Sequence, residues 1–140
     1  MKNINQAVIL AGGRGLRLRP ITNKIPKPMI KINNAPFLDY LIFNIIKHKI
    51  TNILILTGYK SKKIENYYSS ISNINIKFSK GKLSDLTGTR LIKSYNFLKE
   101  DFLLVYSDNY WNIQFNLIKK KYFKSKSLIL ATIFNNKNGT

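Results

Sequence analysis

Residues 7–18, Ala7-Val8-Ile9-Leu10-Ala11-Gly12-Gly13-Arg14-Gly15-Leu16-Arg17-Leu18, decide how the rest of the chain reads. The apolar run 7–11 is too short for a helix and is closed by glycine. It fits a strand buried on both faces, as in a parallel sheet. The glycines beyond it let the backbone approach a bound group closely and turn several N–H groups toward it, which suits an anion. Arg17 adds a planar cation whose forked geometry matches a phosphate. The spacing is neither G-x-G-x-x-G nor the P-loop with its closing Gly-Lys-Ser/Thr. Alone, a Gly-Gly-x-Gly turn is common and says little.

Outward from this stretch, apolar runs and helical patterns alternate, the signature of β-α units around a mostly parallel sheet. After Pro36, a favoured first-turn residue, Phe37, Leu38, Leu41, Ile42, Ile45 and Ile46 recur at helical spacing. Residues 53–57 predict a strand ended by Gly58, and Ser61 an N-cap for a helix carrying Ile64, Tyr67 and Tyr68. A strand over 74–78 is broken by Gly81. A helix over 89–98 places Leu91, Ile92, Tyr95 and Leu98 on one face. A strand over 102–106, a helix over 113–123 and a last strand over 128–134 complete the pattern. The expected fold is a Rossmann-like three-layer α/β/α sandwich. Residues 135–140 read as a turn that leads to no further element, so residues 1–140 are expected to be the N-terminal, nucleotide-binding portion of a domain cut short on its C-terminal side.

With 140 residues, 44% of them apolar, the chain can fill one core. No apolar run approaches the ~18–20 residues that span a bilayer. Residues 1–6 carry a single positive charge, and the apolar stretch behind them is far shorter than a signal-peptide core. There are no cysteines, which excludes disulfides and thiolate metal sites. A soluble, cytoplasmic protein of bacterial type is expected. The formal charge of +18 suits either a polyanion or phosphate-bearing substrates. Yet the lysines are dispersed along the chain, and arginine occurs only at 14, 17, 19 and 90. A nucleic-acid binder would gather Arg and aromatic residues on one face. The heavy use of Lys, Asn and Ile is more simply the coding bias of an AT-rich genome, and a nucleic acid is not the expected partner.

A second motif, Pro26-Lys27-Pro28-Met29, sets Lys27 between two prolines that limit where its ammonium can go. A lysine so held, facing a glycine loop, is a plausible second phosphate contact. By itself it would read as a solvated lysine in a proline-rich loop. Asp108 follows the predicted strand 102–106, at the end of a strand where open α/β sheets bind ligands. His48, between Lys47 and Lys49 near a helix end, reads as a capping or solvated histidine. Asp85 and Asp101 fall in loops with no partner carboxylate in view, and Tyr110 and Trp111 could wall a pocket or simply pack.

Taken together, the glycine loop and Pro26-Lys27-Pro28 resemble the sugar-phosphate nucleotidyltransferase superfamily, whose signature is Gly-Gly-x-Gly-Thr-Arg-Leu followed by Pro-Lys-Pro. The resemblance continues at Asn34-Ala35-Pro36-Phe37-Leu38 and at residues 52–59, and so covers nearly the whole chain. Leu86-Thr87-Gly88-Thr89-Arg90-Leu91 is similar to loops of its cytidylyltransferases and of its heptose- or mannose-1-phosphate guanylyltransferases. The resemblance implies an enzyme joining a nucleoside triphosphate to a sugar 1-phosphate, with release of pyrophosphate, for cell-surface polysaccharide biosynthesis. It assigns Leu10, Ala11, Gly12, Gly13 and Gly15 to the nucleotide and its phosphates, and Gly88 to a loop bordering the base. It makes Arg17 and Lys27 the catalytic cations and Asp108 the ligand of Mg²⁺.

Two residues depart from the family pattern: Leu16 stands where Thr is usual, and Ser107 where Gly usually precedes the metal aspartate. The family's second metal aspartate and its sugar-phosphate lysine belong to a later segment than this chain contains. The chain alone is therefore expected to bind nucleotide without useful turnover, with a homo-oligomer or a completing polypeptide as further partner. Two other readings stay open at this point: a non-catalytic nucleotide-binding or regulatory module, and a basic nucleic-acid-binding domain.

Overall fold

The computed structural model describes residues 3–110 and 114–133. The elements run β1 (Gln6–Ala11), β2 (Lys31–Ile32), β3 (Ala35–Pro36), α1 (Phe37–Ile46), β4 (Asn52–Thr57), α2 (Ser61–Tyr68), β5 (Asn75–Lys80), α3 (Thr87–Lys93), β6 (Leu103–Tyr106) and α4 (Phe115–Ser125), with short 3₁₀ turns between several of them. Four strands form one sheet in the order β5-β4-β1-β6. Each neighbouring pair is parallel: Ile9 lies opposite Ile55 and Val105, and Ile55 opposite Phe78.

The two central strands are apolar at nearly every position because both of their faces are covered. On one face Ala7, Ile9, Ala11, Ile53 and Ile55 pack with Leu38, Leu41, Ile42 and Ile45 of α1, Ile64 and Tyr68 of α2 and Phe115 of α4. On the other, Val8, Leu10, Leu54 and Leu56 meet Leu91 of α3 together with Leu98 and Phe102. The period of two along a strand sends alternate residues to opposite layers, and the result is the three-layer α/β/α arrangement. From β1 the chain steps one way to β4 and β5 and later returns to the other side as β6. The reversal of strand order therefore lies between β1 and β6, where doubly wound sheets open a crevice at their carboxyl ends.

Several local expectations are corrected. Residues 128–133 form no strand, and Leu128 and Ile133 are 95% and 92% exposed; Phe134 lies outside the described residues. Their apolar composition suits a strand, but a strand persists only against a partner ladder, and none lies beside them among the described residues. The single helix expected over 89–98 is instead α3 and a 3₁₀ turn at Tyr95–Phe97, interrupted at the buried Ser94. Leu91 and Leu98 face the sheet while Ile92 and Tyr95 point to solvent. Ser61 does not cap α2: it is the first helical residue, and Lys60 before it adopts a left-handed conformation. The strand expected over 74–78 is shifted to Asn75–Lys80. α4 begins at Phe115, and Ile113, where that helix was expected to start, lies outside the described residues. The small β2–β3 hairpin, unforeseen, turns on Asn33 and Asn34, both at positive φ, as a tight two-residue turn demands.

Candidate functional site

Beyond Ala11 the chain leaves β1 at the carboxyl edge of the sheet. Gly12 is buried, and its carbonyl accepts the Tyr59 N–H at 3.2 Å, joining this loop to the one after β4. Gly13 is exposed, and a Cβ there would meet nothing within 4 Å, so its backbone is open to an incoming group. Gly15 is at φ +62°, a left-handed conformation that glycine adopts without penalty. A Cβ there would also press on Lys27 and Thr22 at 3.0–3.1 Å. The buried Thr22 donates its hydroxyl to the Gly15 carbonyl, and Tyr59 donates to the Thr22 carbonyl, so the loop is tied down from beneath. A 3₁₀ turn at Leu16–Leu18 follows and leaves Arg17 exposed.

Lys27 opens a 3₁₀ turn between the buried Pro26 and Pro28. Its ammonium donates to Asp108 Oδ2 at 2.8 Å, with the two side chains 37% and 39% exposed. Asp108 reaches this point because the Ser107 N–H continues the β1–β6 ladder to the Leu10 carbonyl, at 3.1 Å. The residue types singled out from two distant motifs and a strand end thus meet across one crevice. A half-exposed pair of this kind adds little to stability, of the order of 1 kcal/mol or less. It can be exchanged for ligand contacts at small cost.

The crevice is a cleft of about 450 Å³, within the range of small-molecule sites. Leu10, Ala11, Gly12, Gly13, Gly15, Arg17, Lys27 and Asp108 all line it. Gly88 does not: it is exposed in the first turn of α3 with open space around it, and from that segment Leu83, Asp85, Leu86, Thr87 and Arg90 form the wall. Ser107 is buried and lines the cleft as well. Tyr110 is exposed and meets Phe37 edge-on, with ring centroids 6.4 Å apart, and Trp111 lies outside the described residues. His48 is half-buried against Phe115, on the face of the sheet covered by α1, α2 and α4.

Arg90 is the site residue that sequence reasoning passed over. Its side chain is buried, with the residue 7% exposed, and it donates to three backbone carbonyls: Thr57 at 2.8 Å, Lys82 at 2.7 Å and Asp85 at 3.1 Å. One signal was present, since Arg90 is the single arginine outside residues 14–19 in a chain that otherwise uses lysine. Asp85 supports the same wall. Its carboxylate accepts from Lys93 Nζ and the Lys82 N–H, and the Lys93 hydrogen bond above all holds its carboxyl below the usual carboxylate range. Asp101, the other loop carboxylate, accepts from Tyr122 on α4 and lies outside the cleft lining.

No helix among the described residues is long and apolar enough to cross a membrane. Nor do they contain a cluster of three or more His, Cys, Asp or Glu that would form an all-protein metal cage. Asp108 and Asp85 are carboxylates that line the cleft, and one or two carboxylates completed by waters and phosphates are the donor set that Mg²⁺ takes.

Comparison with known proteins agrees with this geometry. The D-glycero-alpha-D-manno-heptose 1-phosphate guanylyltransferase of Campylobacter jejuni is 33% identical over 115 residues, which cover 81% of this chain and 52% of that protein. The bifunctional protein GlmU of Methanococcus maripaludis is 36% identical over 102 residues, 73% of this chain and 24% of that one. The chain therefore spans about half the length of the first relative and about a quarter of the second. Among solved structures, HddC from Yersinia pseudotuberculosis, complexed with GMP-PN, shares the fold with a TM-score of 0.71 at 24% identity, over 85% of this chain and 54% of that one. The family model described as nucleotidyl transferase matches residues 6–139, so the cleft at the carboxyl edge of this sheet belongs to a member of the nucleotidyl transferase family.

Proposed function

We propose that the chain supplies the nucleotide-binding part of an enzyme that joins a nucleoside triphosphate to a sugar 1-phosphate. The observation that carries this reading is convergence: the glycine loop, Arg17, Lys27 and Asp108 line one cleft at the β1–β6 switch point. The triphosphate lies against the open backbone of Gly13 and the exposed Arg17, with the base toward the Leu83–Thr87 wall. A phosphate oxygen of the sugar 1-phosphate attacks the α-phosphorus in line, the bond to the β-phosphate oxygen breaks, and pyrophosphate leaves. Such transfers need little covalent help from the protein; positioning and neutralisation of charge account for most of the acceleration.

Lys27 is held by Asp108 in the free chain and turns to the phosphates once they are bound, while Arg17 makes a forked contact with the triphosphate. Asp108 would hold Mg²⁺ together with phosphate oxygens, and the ion would supply further neutralisation of the phosphate charge. A cytoplasmic reaction is part of this reading, because its substrate is a nucleoside triphosphate. The likeness to a heptose 1-phosphate guanylyltransferase supports a heptose 1-phosphate as the acceptor, and the product would feed polysaccharide assembly.

The test has two parts. Titration calorimetry with ATP, GTP, CTP and UTP in the presence of Mg²⁺ should detect binding of at least one of them. Pyrophosphate release should then be assayed with a panel of sugar 1-phosphates. Binding of no triphosphate would overturn the reading. Release that is independent of any sugar 1-phosphate would reassign the acceptor.

A further inference from the structure

Three glycines, one after each of three parallel strands, surround a single side chain. Gly12 follows β1, Gly58 follows β4 and Gly81 follows β5. A Cβ on Gly12 would overlap the Arg90 guanidinium; on Gly58 it would come within 2.7 Å of Nη1, and on Gly81 within 2.6 Å. The guanidinium fills the space that these missing side chains leave. Its donors go to the carbonyls of Thr57, the last residue of β4, and of Lys82 and Asp85 in the loop after β5. No carboxylate is hydrogen-bonded to it among the described residues, since Asp85 turns its oxygens to Lys93 and the Lys82 N–H.

We propose that Arg90 is a positioning residue for the polyphosphate: its buried guanidinium, pinned by three carbonyls beneath Gly12, Gly58 and Gly81, sets the shape of the glycine loop and places a fixed positive charge behind it. The inference rests on the nucleotide reading above and adds to it a cation whose donors are taken by the protein's own carbonyls. Two of its properties follow from guanidinium chemistry. The planar fork satisfies three acceptors in fixed directions, which a lysine ammonium on a flexible stem does not reproduce. The guanidinium has donors and no acceptor, so it bonds the loop carbonyls and competes for none of the loop's N–H groups. Gly12 and Gly13 then have different duties. Gly12 lacks a side chain to admit Arg90 from behind, and Gly13 lacks one to admit the phosphate from in front.

The experiment compares the wild-type chain with Arg90→Lys, Arg90→Met and Arg90→Gly. Affinities for a panel of nucleoside triphosphates and for inorganic triphosphate are measured by calorimetry, and folding by circular dichroism. Arg90→Met and Arg90→Lys should each weaken both kinds of ligand by roughly 10- to 100-fold, by analogy with the loss of a residue that only orients a metal ligand. Binding by Arg90→Gly should recover with millimolar guanidinium chloride but not with equal sodium chloride. The recovery should come with no change in the circular dichroism of Arg90→Gly, which separates placement of the loop from a loss of fold. A folded Arg90→Met that binds inorganic triphosphate as the wild type does would overturn the inference and leave the nucleotide reading intact. A wild-type chain that binds no triphosphate would overturn both.

If the variants do not fold, the wild type decides by nuclear magnetic resonance. The Arg90 Nε–H signal and the amides of Gly12, Gly58 and Gly81 should shift together on saturation with inorganic triphosphate. A shift confined to Arg17 and Gly13 would overturn the inference.

Discussion

Arg17 and Arg90 line the same cleft and are built in opposite ways. Arg17 stands exposed on a 3₁₀ turn beyond the glycine loop, free to meet a ligand. Arg90 is buried on the far wall with its hydrogens directed at the protein's own backbone. One cleft thus carries two kinds of cation. One is left uncommitted by the fold, and the other has its donors taken up by the backbone around it. Lys27, half-exposed and lightly paired to Asp108, lies between these extremes.

The largest test of this contrast is to stability. Arg90→Ala removes a charged donor from the carbonyls of Thr57, Lys82 and Asp85 and empties the space beside three glycines. The Thr57 and Lys82 carbonyls keep the Gly81 and Asp85 N–H groups, so the cost in denaturant unfolding should be about 3 kcal/mol, near the upper end for a hydrogen bond to a charged group. Arg17→Ala should leave the unfolding midpoint within ~0.5 kcal/mol of wild type, as expected for a surface change. Equal losses from both substitutions would erase the distinction.

Binding should show the reverse side of Arg17. In calorimetry, Arg17→Ala should weaken the nucleoside triphosphate by about 1.5–3 kcal/mol, the range for hydrogen bonds to charged groups. Unchanged affinity would remove Arg17 from the site.

The Lys27–Asp108 pair sharpens the middle case. Asp108→Asn keeps the shape and deletes the charge. It should abolish the gain in affinity that Mg²⁺ brings, a change of roughly tenfold or ~1.4 kcal/mol. Folding should be nearly unaffected, because an exposed pair contributes about 0–1 kcal/mol. An unaltered Mg²⁺ dependence would make Asp108 a turn residue that merely pairs with Lys27.

The smallest effect is expected away from the cleft, where a buried polar tie should affect stability alone. The hydroxyls of Tyr68 and Tyr67 on α2 both donate to Asp39 on α1, at 2.5 and 2.8 Å. Burial, with help from this hydrogen bond, holds the Tyr68 hydroxyl well above the ordinary tyrosine range. A raised folded-state value means that the contribution is complete below the unfolded tyrosine pKa of about 10 and fades as pH climbs above it. Tyr68→Phe should cost about 1 kcal/mol at neutral pH, leave triphosphate affinity unchanged, and flatten the alkaline fall in thermal midpoint relative to wild type. A parallel fall in both proteins would assign that slope to other groups.

The legible part of this protein was the part governed by local pattern. Continuous apolar runs at 7–11 and 53–57 can only be covered on both faces, and that requirement already implies helices above and below a parallel sheet. The two motifs were legible because glycine and proline restrict the backbone by themselves, whatever surrounds them. Element edges were less so. The break at Ser94 depends on where the chain is pulled toward the sheet, and residues 128–133 have the composition of a strand without a ladder to join.

The order of residues along the chain is enough to place a strand before a glycine loop, a proline-braced lysine after it and an aspartate beyond a later strand. Each is a statement about neighbours along the chain, where covalent geometry and side-chain chemistry suffice. That Lys27 meets Asp108, and that Arg90 lies beneath Gly12, Gly58 and Gly81, follows from the folded arrangement alone. Those residues come together because parallel pairing brings the ends of β1, β4, β5 and β6 to one edge of the sheet. A missing side chain at Gly12 looks the same in sequence whether it makes room for a phosphate in front or a guanidinium behind. Packing in three dimensions is what tells the two apart.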